Sequence, residues 1–209
     1  METVDSNWRI FLAVPLPADV TTYVDDAIAT LRNEPWPVKW TPSGNAHITL
    51  HFLGEVDPAR ADLLRFALRS TIAPHEAFDL RTADLGAFPT IRKPRVLWLG
   101  LWGPVHRLLT LHEAIGKTLT ELEFVLDERE FHPHITLGRV RSDGKPQHDL
   151  PAKIRARFEA LAASGEVTSK DPVPLPVNEV QLIRSHLTPQ GARYEVLERY
   201  PLRAPEPKD

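Results

Sequence analysis

Two segments of the chain alternate between apolar and polar residues with a period of two, and both contain the sequence His-Ile-Thr-Leu. The first runs from Ala46 to Leu53 and the second from Phe131 to Arg139. The repeated tetrapeptide begins at His47 and again 87 residues later at His134. Period two is typical of β-strands, because successive side chains point to opposite faces of a sheet. We therefore expect two strands that present similar faces.

Alternation assigns the residues of the first segment to two faces. His47, Thr49 and His51 are predicted on one face, and Ile48, Leu50 and Phe52 on the other. His47 and Thr49 are expected to face a cleft, and Ile48 and Leu50 the core.

The rest of the pattern predicts short strands and amphipathic helices. Further strands are expected at Trp8 to Val14, Val38 to Trp40, Phe78 to Phe88, Val96 to Leu101, Glu179 to Ser185 and Ala192 to Arg199. Helices are expected at Ala18 to Arg32, Pro58 to Ser70, Pro104 to Leu122 and Ala152 to Ala163. Strands and helices do not alternate regularly, so the predicted fold class is α+β, with antiparallel β-sheet and outer helices. We expect one domain over residues 1–203 and a flexible tail at residues 204–209.

The composition narrows the possible functions mainly by exclusion. With 42% hydrophobic and 25% charged residues, the chain has the composition of a soluble globular protein. The absence of cysteine excludes disulfides, thiol catalysis and cysteine-ligated metals. No signal peptide and no run of 18 apolar residues is found, which predicts a cytoplasmic protein without a membrane span. The net charge of −3 favours a nucleic-acid contact at a local site, such as a strand end.

The two motifs together carry the residue types of a phosphodiester site. Each supplies an imidazole, at His47 and His134, and a hydroxyl two residues later, at Thr49 and Thr136. An ordinary histidine pKa near 6.5 allows one ring to act as a base and the other as an acid near neutral pH. Threonine hydroxyls can donate to the non-bridging oxygens of a phosphate. One His-x-Thr alone is a weak signal, because threonine is common in strands.

Two other interpretations of the histidines stay open at this point. The repeat could be purely structural. Alternatively, His132 and His134 could be metal ligands together with His51 or His47, although the motif strands contain no Asp or Glu and hydroxyls are poor metal ligands. We favour the phosphate site, with no metal and no cofactor, and expect His51 and His132 to lie at its rim and orient their neighbours.

Further side chains are candidates for substrate binding. Arg139 is a candidate phosphate or ribose contact, but strict alternation puts it on the wrong face unless the strand bulges near Gly138. Arg95 belongs to a basic cluster with Arg92 and Lys93 that could approach an RNA backbone or simply be solvated. Phe11 and Trp40 could stack a terminal base, although core packing is the default for both.

These residues resemble the two-histidine phosphoesterases, and within them the RNA 2',3'-cyclic phosphodiesterases once named 2'-5' RNA ligases. The resemblance covers nearly the whole chain. It rests on five stretches: Arg9 to Val14, Asn45 to Val56, Pro94 to Gly100, Phe131 to Arg139 and Ser185 to Tyr194. It implies two pseudo-symmetric lobes with an active-site cleft between them, one motif coming from each lobe.

The resemblance also implies an activity, which is hydrolysis of a terminal 2',3'-cyclic phosphate to a 2'-phosphomonoester, with weak reversible 2'-5' ligation. Carried onto this chain, it makes His47 the proton donor and His134 the proton acceptor, with Thr49 and Thr136 holding the phosphate. The expected partners are RNA ends or nucleotides bearing a cyclic phosphate, met by a monomer. A phosphodiesterase for a small cyclic or 2'-5' linked nucleotide and a non-catalytic RNA-end binding module remain alternatives.

Overall fold

The computed structural model describes residues 7–141, 148–167, 172–189 and 191–205. Its helices are α1 (Ala18–Arg32), α2 (Pro58–Ile72), α3 (Val105–Glu121) and α4 (Leu150–Ser164). Its strands are β1 (Trp8–Pro15), β2 (Val38–Trp40), β3 (His47–Val56), β4 (Phe78–Thr90), β5 (Lys93–Trp102), β6 (Ile135–Val140), β7 (Pro174–Val177), β8 (Glu179–Thr188) and β9 (Gly191–Pro201). Each helix predicted from the sequence is present.

Capping residues mark the start of α2 and the end of α4. At the start of α2, the side chain of Asp57 accepts a hydrogen bond from the backbone N–H of Ala59 at 2.8 Å, and Pro58 occupies the first turn, where its missing N–H costs nothing. At the end of α4, Gly165 adopts φ 83°, the left-handed conformation typical of a helix C-terminus.

Within the described residues, the strands form one antiparallel sheet in the order β7-β4-β5-β6-β3-β1-β8-β9, and β2 also pairs with β6. The sheet divides into two halves at the junction of β3 and β6. In each half a strand leads through a helix to a motif strand that pairs with it, as β1-α1-β3 with the short β2 inserted before β3, and as β5-α3-β6. The α+β class is confirmed, and the repeated order is the pseudo-symmetry that the resemblance implies.

The four helices cover one face of this sheet. Buried residues from all of them share a core cluster with Ile10, Ile48 and Leu97 of the strands. Among the described residues, the opposite face carries a small buried cluster of Phe11, Ala13 and Ile183, against which Tyr194 packs. We call this opposite side the open face.

The hairpin β8-β9 bends across the open face. Nδ2 of Asn45, just before β3, donates to the carbonyl oxygen of Ala192 in β9 at 2.7 Å. In a flat sheet β3 and β9 would be roughly 14 Å apart, because β1 and β8 lie between them. The sheet is therefore strongly curled, and the open face is a cleft.

Two differences from the predicted strands have simple causes. The second motif strand begins at Ile135 rather than Phe131, because Pro133 has no N–H to donate to a neighbouring strand. The edge strand β7 was not predicted, because Pro174 and Pro176 are unusual in a strand. Proline is tolerated at a sheet edge, where β7 lies.

Residues 206–209 of the predicted tail lie outside the described residues. Among the helices that the structure describes, none is long and apolar enough to cross a membrane.

Candidate active site

The two motif strands are neighbours at the centre of the sheet. β3 and β6 are joined through the pair Ile48 and Ile135, which are both fully buried on the helix-covered side. Because side chains alternate along a strand, the adjacent Thr49 and Thr136 point to the open face. Both threonines are half-buried, and neither hydroxyl bonds to another group among the residues that the structure describes. Both hydroxyls are therefore available to a ligand in the cleft.

The two motif histidines are oriented in the same way. Nδ1 of His47 lies 2.8 Å from the carbonyl oxygen of Asn45, and Nδ1 of His134 lies 2.7 Å from that of His132. A carbonyl oxygen only accepts hydrogen bonds, so Nδ1 carries the hydrogen in both rings. Nε2 is then the atom that exchanges a proton, as a base in the neutral ring and as an acid in the charged ring.

Burial lowers the pKa of both motif histidines. For His47 the hydrogen bond to Asn45 opposes this effect, while the charges of His134 and Arg139 lower the pKa further. For His134 the bond to His132 opposes burial, and the charges of Arg139 and His132 add to it. These lowered pKa values favour the neutral form of both rings near pH 7 in the free protein. A bound phosphate anion would act in the opposite direction and favour a charged ring.

The predicted face of His51 is wrong, because β3 contains a β-bulge. Thr49 pairs with Ala13 and His51 pairs with Leu12, which leaves Leu50 as an extra residue. The bulge reverses the alternation beyond it. His51 is therefore only 7% exposed, lies on the helix-covered side and does not belong to the rim of the cleft.

A matching bulge in β6 brings Arg139 to the open face. Leu137 is the extra residue between the positions where β6 pairs with Trp98 and with Leu97 of β5. Without it, strict alternation would turn Arg139 towards the helices. The exposed guanidinium instead lies close enough to lower the pKa of both motif histidines. The structure thus brings to the site an arginine whose face the sequence left undecided.

Aromatic rings surround His47 within the cleft. The ring centroids of Phe11 and Tyr194 lie 4.8 and 5.5 Å from that of His47, and 5.1 Å from each other. Phe11, a predicted base-stacking residue, lies beside the motif histidine but is only 4% exposed, so it packs against that ring instead of presenting a free face to a base. Tyr194 was missed, because only the bending of the β8-β9 hairpin brings it there.

His134 has its own pair of aromatic neighbours, which lie in strands predicted from the sequence but were not singled out as site residues. Phe88 lies 4.9 Å from the His134 ring and Trp98 lies 6.4 Å from it, with 5.1 Å between the two aromatic rings. The indole of Trp98 covers Gly86, where an added Cβ would come within 2.2 Å of the ring. Gly86 opposite an aromatic residue is the one signal that could have marked this position.

A stack of three rings behind the sheet connects the two motifs. His51 stacks on His112 of α3 at 4.0 Å, and His112 stacks on Phe131 at 4.0 Å on its other side. Nε2 of His51 donates to the carbonyl oxygen of His112 at 2.9 Å. Phe131 directly precedes His132, whose carbonyl orients His134. The stack therefore fixes the segment that leads into the second motif.

Of the remaining predicted binding residues, Trp40 lies outside the cleft. Trp40 packs against the core and lies over Gly138, where an added Cβ would come within 2.9 Å of the indole. The pairing register that turns Trp40 towards the core is not visible in the sequence. Arg95 is exposed and is the extra residue of a bulge, between the positions where β5 pairs with Phe88 and with Pro89 of β4, so strand alternation does not assign its face.

The structure also bears on the histidines considered as metal ligands. His51 lies on the far side of the sheet from His47 and His134, so it cannot share a metal ion with them. Among the described residues, no group of three or more His, Cys, Asp or Glu is arranged to hold a metal ion.

Comparison with known proteins agrees with this geometry. The family model for the 2'-5' RNA ligase superfamily matches residues 22–189. A protein of Aeropyrum pernix named RNA 2',3'-cyclic phosphodiesterase is 35% identical over 162 residues, which cover 77% of this chain and 84% of the relative. A protein of the same name from Methanothermobacter thermautotrophicus is 30% identical over 194 residues, covering 93% and 98%.

Solved structures show the same architecture. The crystal structure of E. coli LigT complexed with 3'-AMP matches with a TM-score of 0.70 at 26% identity, covering 94% of this chain and 98% of LigT. A crystal structure of a Thermus thermophilus protein matches with a TM-score of 0.69 at 27% identity, again covering 94% and 98%. The chain, with its two His-Ile-Thr-Leu strands joined at the centre of one curled sheet, belongs to the 2'-5' RNA ligase superfamily.

Proposed function

We propose that this protein is an RNA 2',3'-cyclic phosphodiesterase that hydrolyses a terminal cyclic phosphate to a 2'-phosphomonoester. The observation that carries the proposal is the pair of histidines on adjacent strands of one cleft, which share the same Nδ1 anchor and whose Nε2 atoms have no hydrogen-bond partner among the residues that the structure describes. Relatives that carry this activity in their names cover most of the chain.

The reaction needs one proton taken and one proton given. Neutral His134 accepts a proton from water at Nε2 as the water oxygen attacks phosphorus, and the bond between phosphorus and the 3' oxygen breaks. Protonated His47 donates its Nε2 proton to that leaving oxygen, which becomes the 3'-hydroxyl. This assignment of acid and base, and of the leaving oxygen, follows the family resemblance. Proton exchange with solvent restores both rings.

The neighbouring side chains have roles that follow from their positions. The hydroxyls of Thr49 and Thr136 donate to the non-bridging oxygens, where negative charge accumulates in the transition state. The guanidinium of Arg139 binds the same phosphate or the ribose beside it. Phe11 is only 4% exposed, so its ring supports the imidazole of His47 rather than stacking on a base.

One chain supplies all of these groups. Both histidines and both threonines come from the same sheet, so a monomer suffices for the chemistry. The two imidazoles provide the acid and the base, so the proposed mechanism needs neither a metal nor a cofactor. The cytoplasmic location and the monomeric state stay predictions.

The same site could join RNA ends. If the 5'-hydroxyl of a second RNA replaces water as the nucleophile, the same bond to the 3' oxygen breaks and a 2'-5' phosphodiester forms. We include this weak ligation in the proposal because the family model that matches the chain is that of the 2'-5' RNA ligase superfamily.

The test is to incubate the protein with an RNA that ends in a 2',3'-cyclic phosphate, in the presence of EDTA, and to identify the product by phosphorus NMR. We expect a 2'-phosphomonoester. A 3'-phosphomonoester would reverse the roles of the two cyclic oxygens, and a requirement for added zinc would refute the two-histidine mechanism. Binding without any product would favour the non-catalytic RNA-end module. Cleavage of 2'-5' linked or other small cyclic nucleotides in place of RNA ends would favour the small-nucleotide enzyme.

A further inference from the structure

Phe52 is an exposed aromatic residue next to the site that the proposed mechanism does not use. It lies on β3 directly opposite Phe11 of β1, so the two side chains share the open face. Phe11 in turn lies 4.8 Å from His47. Phe52 is 46% exposed, which is unusual for a phenylalanine in the middle of a central strand.

The bulge after the first motif is what exposes Phe52. Without the extra residue Leu50, alternation would turn Phe52 towards the helices and His51 towards the cleft. Phe52 follows His47 by five residues, as Arg139 follows His134, and each comes after the bulge of its own motif. The two halves of the molecule therefore present different side chains at equivalent positions, an aromatic ring and a guanidinium.

Arg9 completes a surface around this ring. Its guanidinium carbon lies 4.6 Å from the centre of the Phe52 ring. Arg9 precedes Phe11 by two residues on β1 and therefore faces the same side. Glu55 lies 4.0 Å from Arg9, and the side chains of both stay largely exposed. An aromatic face with an arginine over it, open to solvent, is a surface on which nucleobases stack.

The position of Phe52 and Arg9 indicates which nucleotide of an RNA would bind there. Phe52 is one strand away from Phe11, roughly 5 Å across the sheet, and on the side away from the β8-β9 hairpin. Because Phe11 packs against His47, a base on Phe52 would thus belong to the nucleotide next to the one held at His47. The charge of Arg9 would lie near the phosphate that joins them.

We propose that Phe52 and Arg9 form a binding site for the second nucleobase from the cyclic-phosphate end of an RNA. The site rests on the phosphodiesterase activity proposed above and adds a substrate class to it, an oligoribonucleotide of at least two nucleotides in preference to a mononucleotide. The Phe52 ring stacks on the base, and Arg9 binds the backbone beside it.

The test compares kcat/KM for a 2',3'-cyclic mononucleotide with kcat/KM for a trinucleotide that ends in the same cyclic nucleotide. For the unmodified protein we expect the trinucleotide to be preferred. In Phe52→Ala the ratio of trinucleotide to mononucleotide should fall about 10-fold, the usual contribution of one stacked base. Phe52→Trp should keep the ratio, and Arg9→Gln should lower it by a smaller factor.

Phe66 provides the matched control, because it is another exposed phenylalanine, 83% exposed, on helix α2. Phe66→Ala should leave the ratio unchanged. An unchanged ratio in Phe52→Ala would overturn the second-base site, and so would an equal loss on both substrates, which would put Phe52 in the terminal-nucleotide site or in the fold.

Failure of the proposed activity would be visible separately, as no turnover of either substrate by the unmodified protein. The second-base site would then be decided by fluorescence anisotropy with labelled trinucleotide. Weaker binding to Phe52→Ala than to Phe66→Ala would support the site, and equal binding would overturn it. Circular dichroism melting curves identify any variant that does not fold.

Discussion

Each motif histidine is held by a carbonyl two residues before it, and this small feature determines which nitrogen does the chemistry. The sequence predicted which two histidines and threonines belong together, because the repeated His-Ile-Thr-Leu and the period of two are visible in it. It could not predict the tautomer, since the carbonyls of Asn45 and His132 accept these bonds only in the folded chain.

The lowered histidine pKa values predict an acidic optimum. The acid must be protonated in the free enzyme, and that fraction is lost as pH rises through a pKa below the ordinary 6.5. We expect kcat/KM to peak below pH 6.5 in a bell-shaped profile. The optimum of kcat should lie higher, because bound phosphate raises the pKa of both rings. A kcat/KM profile still rising above pH 7 would contradict this.

Arg139 should shift that profile through its charge. Its removal in Arg139→Gln eliminates a positive charge that lowers the pKa of both histidines, so both limbs should move to higher pH. Loss of a charged phosphate contact should also reduce kcat/KM by about 10- to 100-fold. Arg155→Gln, an exposed arginine on α4, is the control. A reduced rate with unmoved limbs would mean that Arg139 binds substrate without affecting the histidines.

At the scale of elements, two bulges account for most of what the alternation pattern missed. One turns His51 away from the cleft and into the stack with His112, and the other turns Arg139 into the cleft. A bulge depends on the partner strand, so a period read along one strand cannot reveal it. Strands and helices themselves were largely predictable from local pattern, except for the proline-rich edge strand.

The ring stack should position the second motif. In His112→Ala the contacts to His51 and Phe131 are lost, and we expect a loss of about 2–4 kcal/mol in unfolding free energy and up to about 100-fold in kcat from displacement of His134. His112→Phe keeps a flat ring in the stack and should retain most of kcat. If both variants lost kcat equally, stacking would not be the property that matters. Denaturant melts and steady-state kinetics measure the two effects.

The same stack predicts an acid-sensitive fold. Burial, with a smaller contribution from the charge of His51, lowers the pKa of His112 to about 4. The unfolded chain therefore binds a proton at His112 near pH 6.5, whereas the folded chain binds it only near pH 4. The contribution of neutral His112 to the unfolding free energy should be fully present above pH 6.5 and should be lost as the pH falls from 6.5 to 4. The loss is at most about 3 kcal/mol, and solvent screening of this half-exposed ring reduces it further. The unfolding free energy of His112→Phe should fall less over this pH range, which urea denaturation at each pH would measure.

At the scale of the whole molecule, the two halves of the sheet share few contacts. β3 meets β6 at one residue pair, and β2 extends the connection by pairing from Val38 to Trp40 with β6. The fold class could be predicted from the sequence, and the two lobes by resemblance. The curl of the sheet could not, because it depends on contacts such as that of Asn45 with Ala192, which are distant in the chain.

Gly138 is expected to be essential to the junction of the halves. A Cβ added there would come within 2.6 Å of Val38 and 2.9 Å of Trp40. Gly138→Ala should therefore cost about 1–3 kcal/mol in unfolding free energy, through overpacking. Val38→Ala removes one of the two clashes, so the double variant should be more stable than the sum of the single effects predicts. If thermal and denaturant melts showed strictly additive changes in unfolding free energy, β2 would have shifted away from β6 to make room for the added Cβ.

The most direct test of the two-histidine site is the rate of cyclic-phosphate hydrolysis in His47→Ala, His134→Ala and the double variant, each shown to be folded. We expect each single variant to lose about 100- to 10,000-fold in kcat. The double variant should lose much less than the product of the single losses, because the two rings act as one unit. Either single variant retaining near-normal kcat would contradict the account.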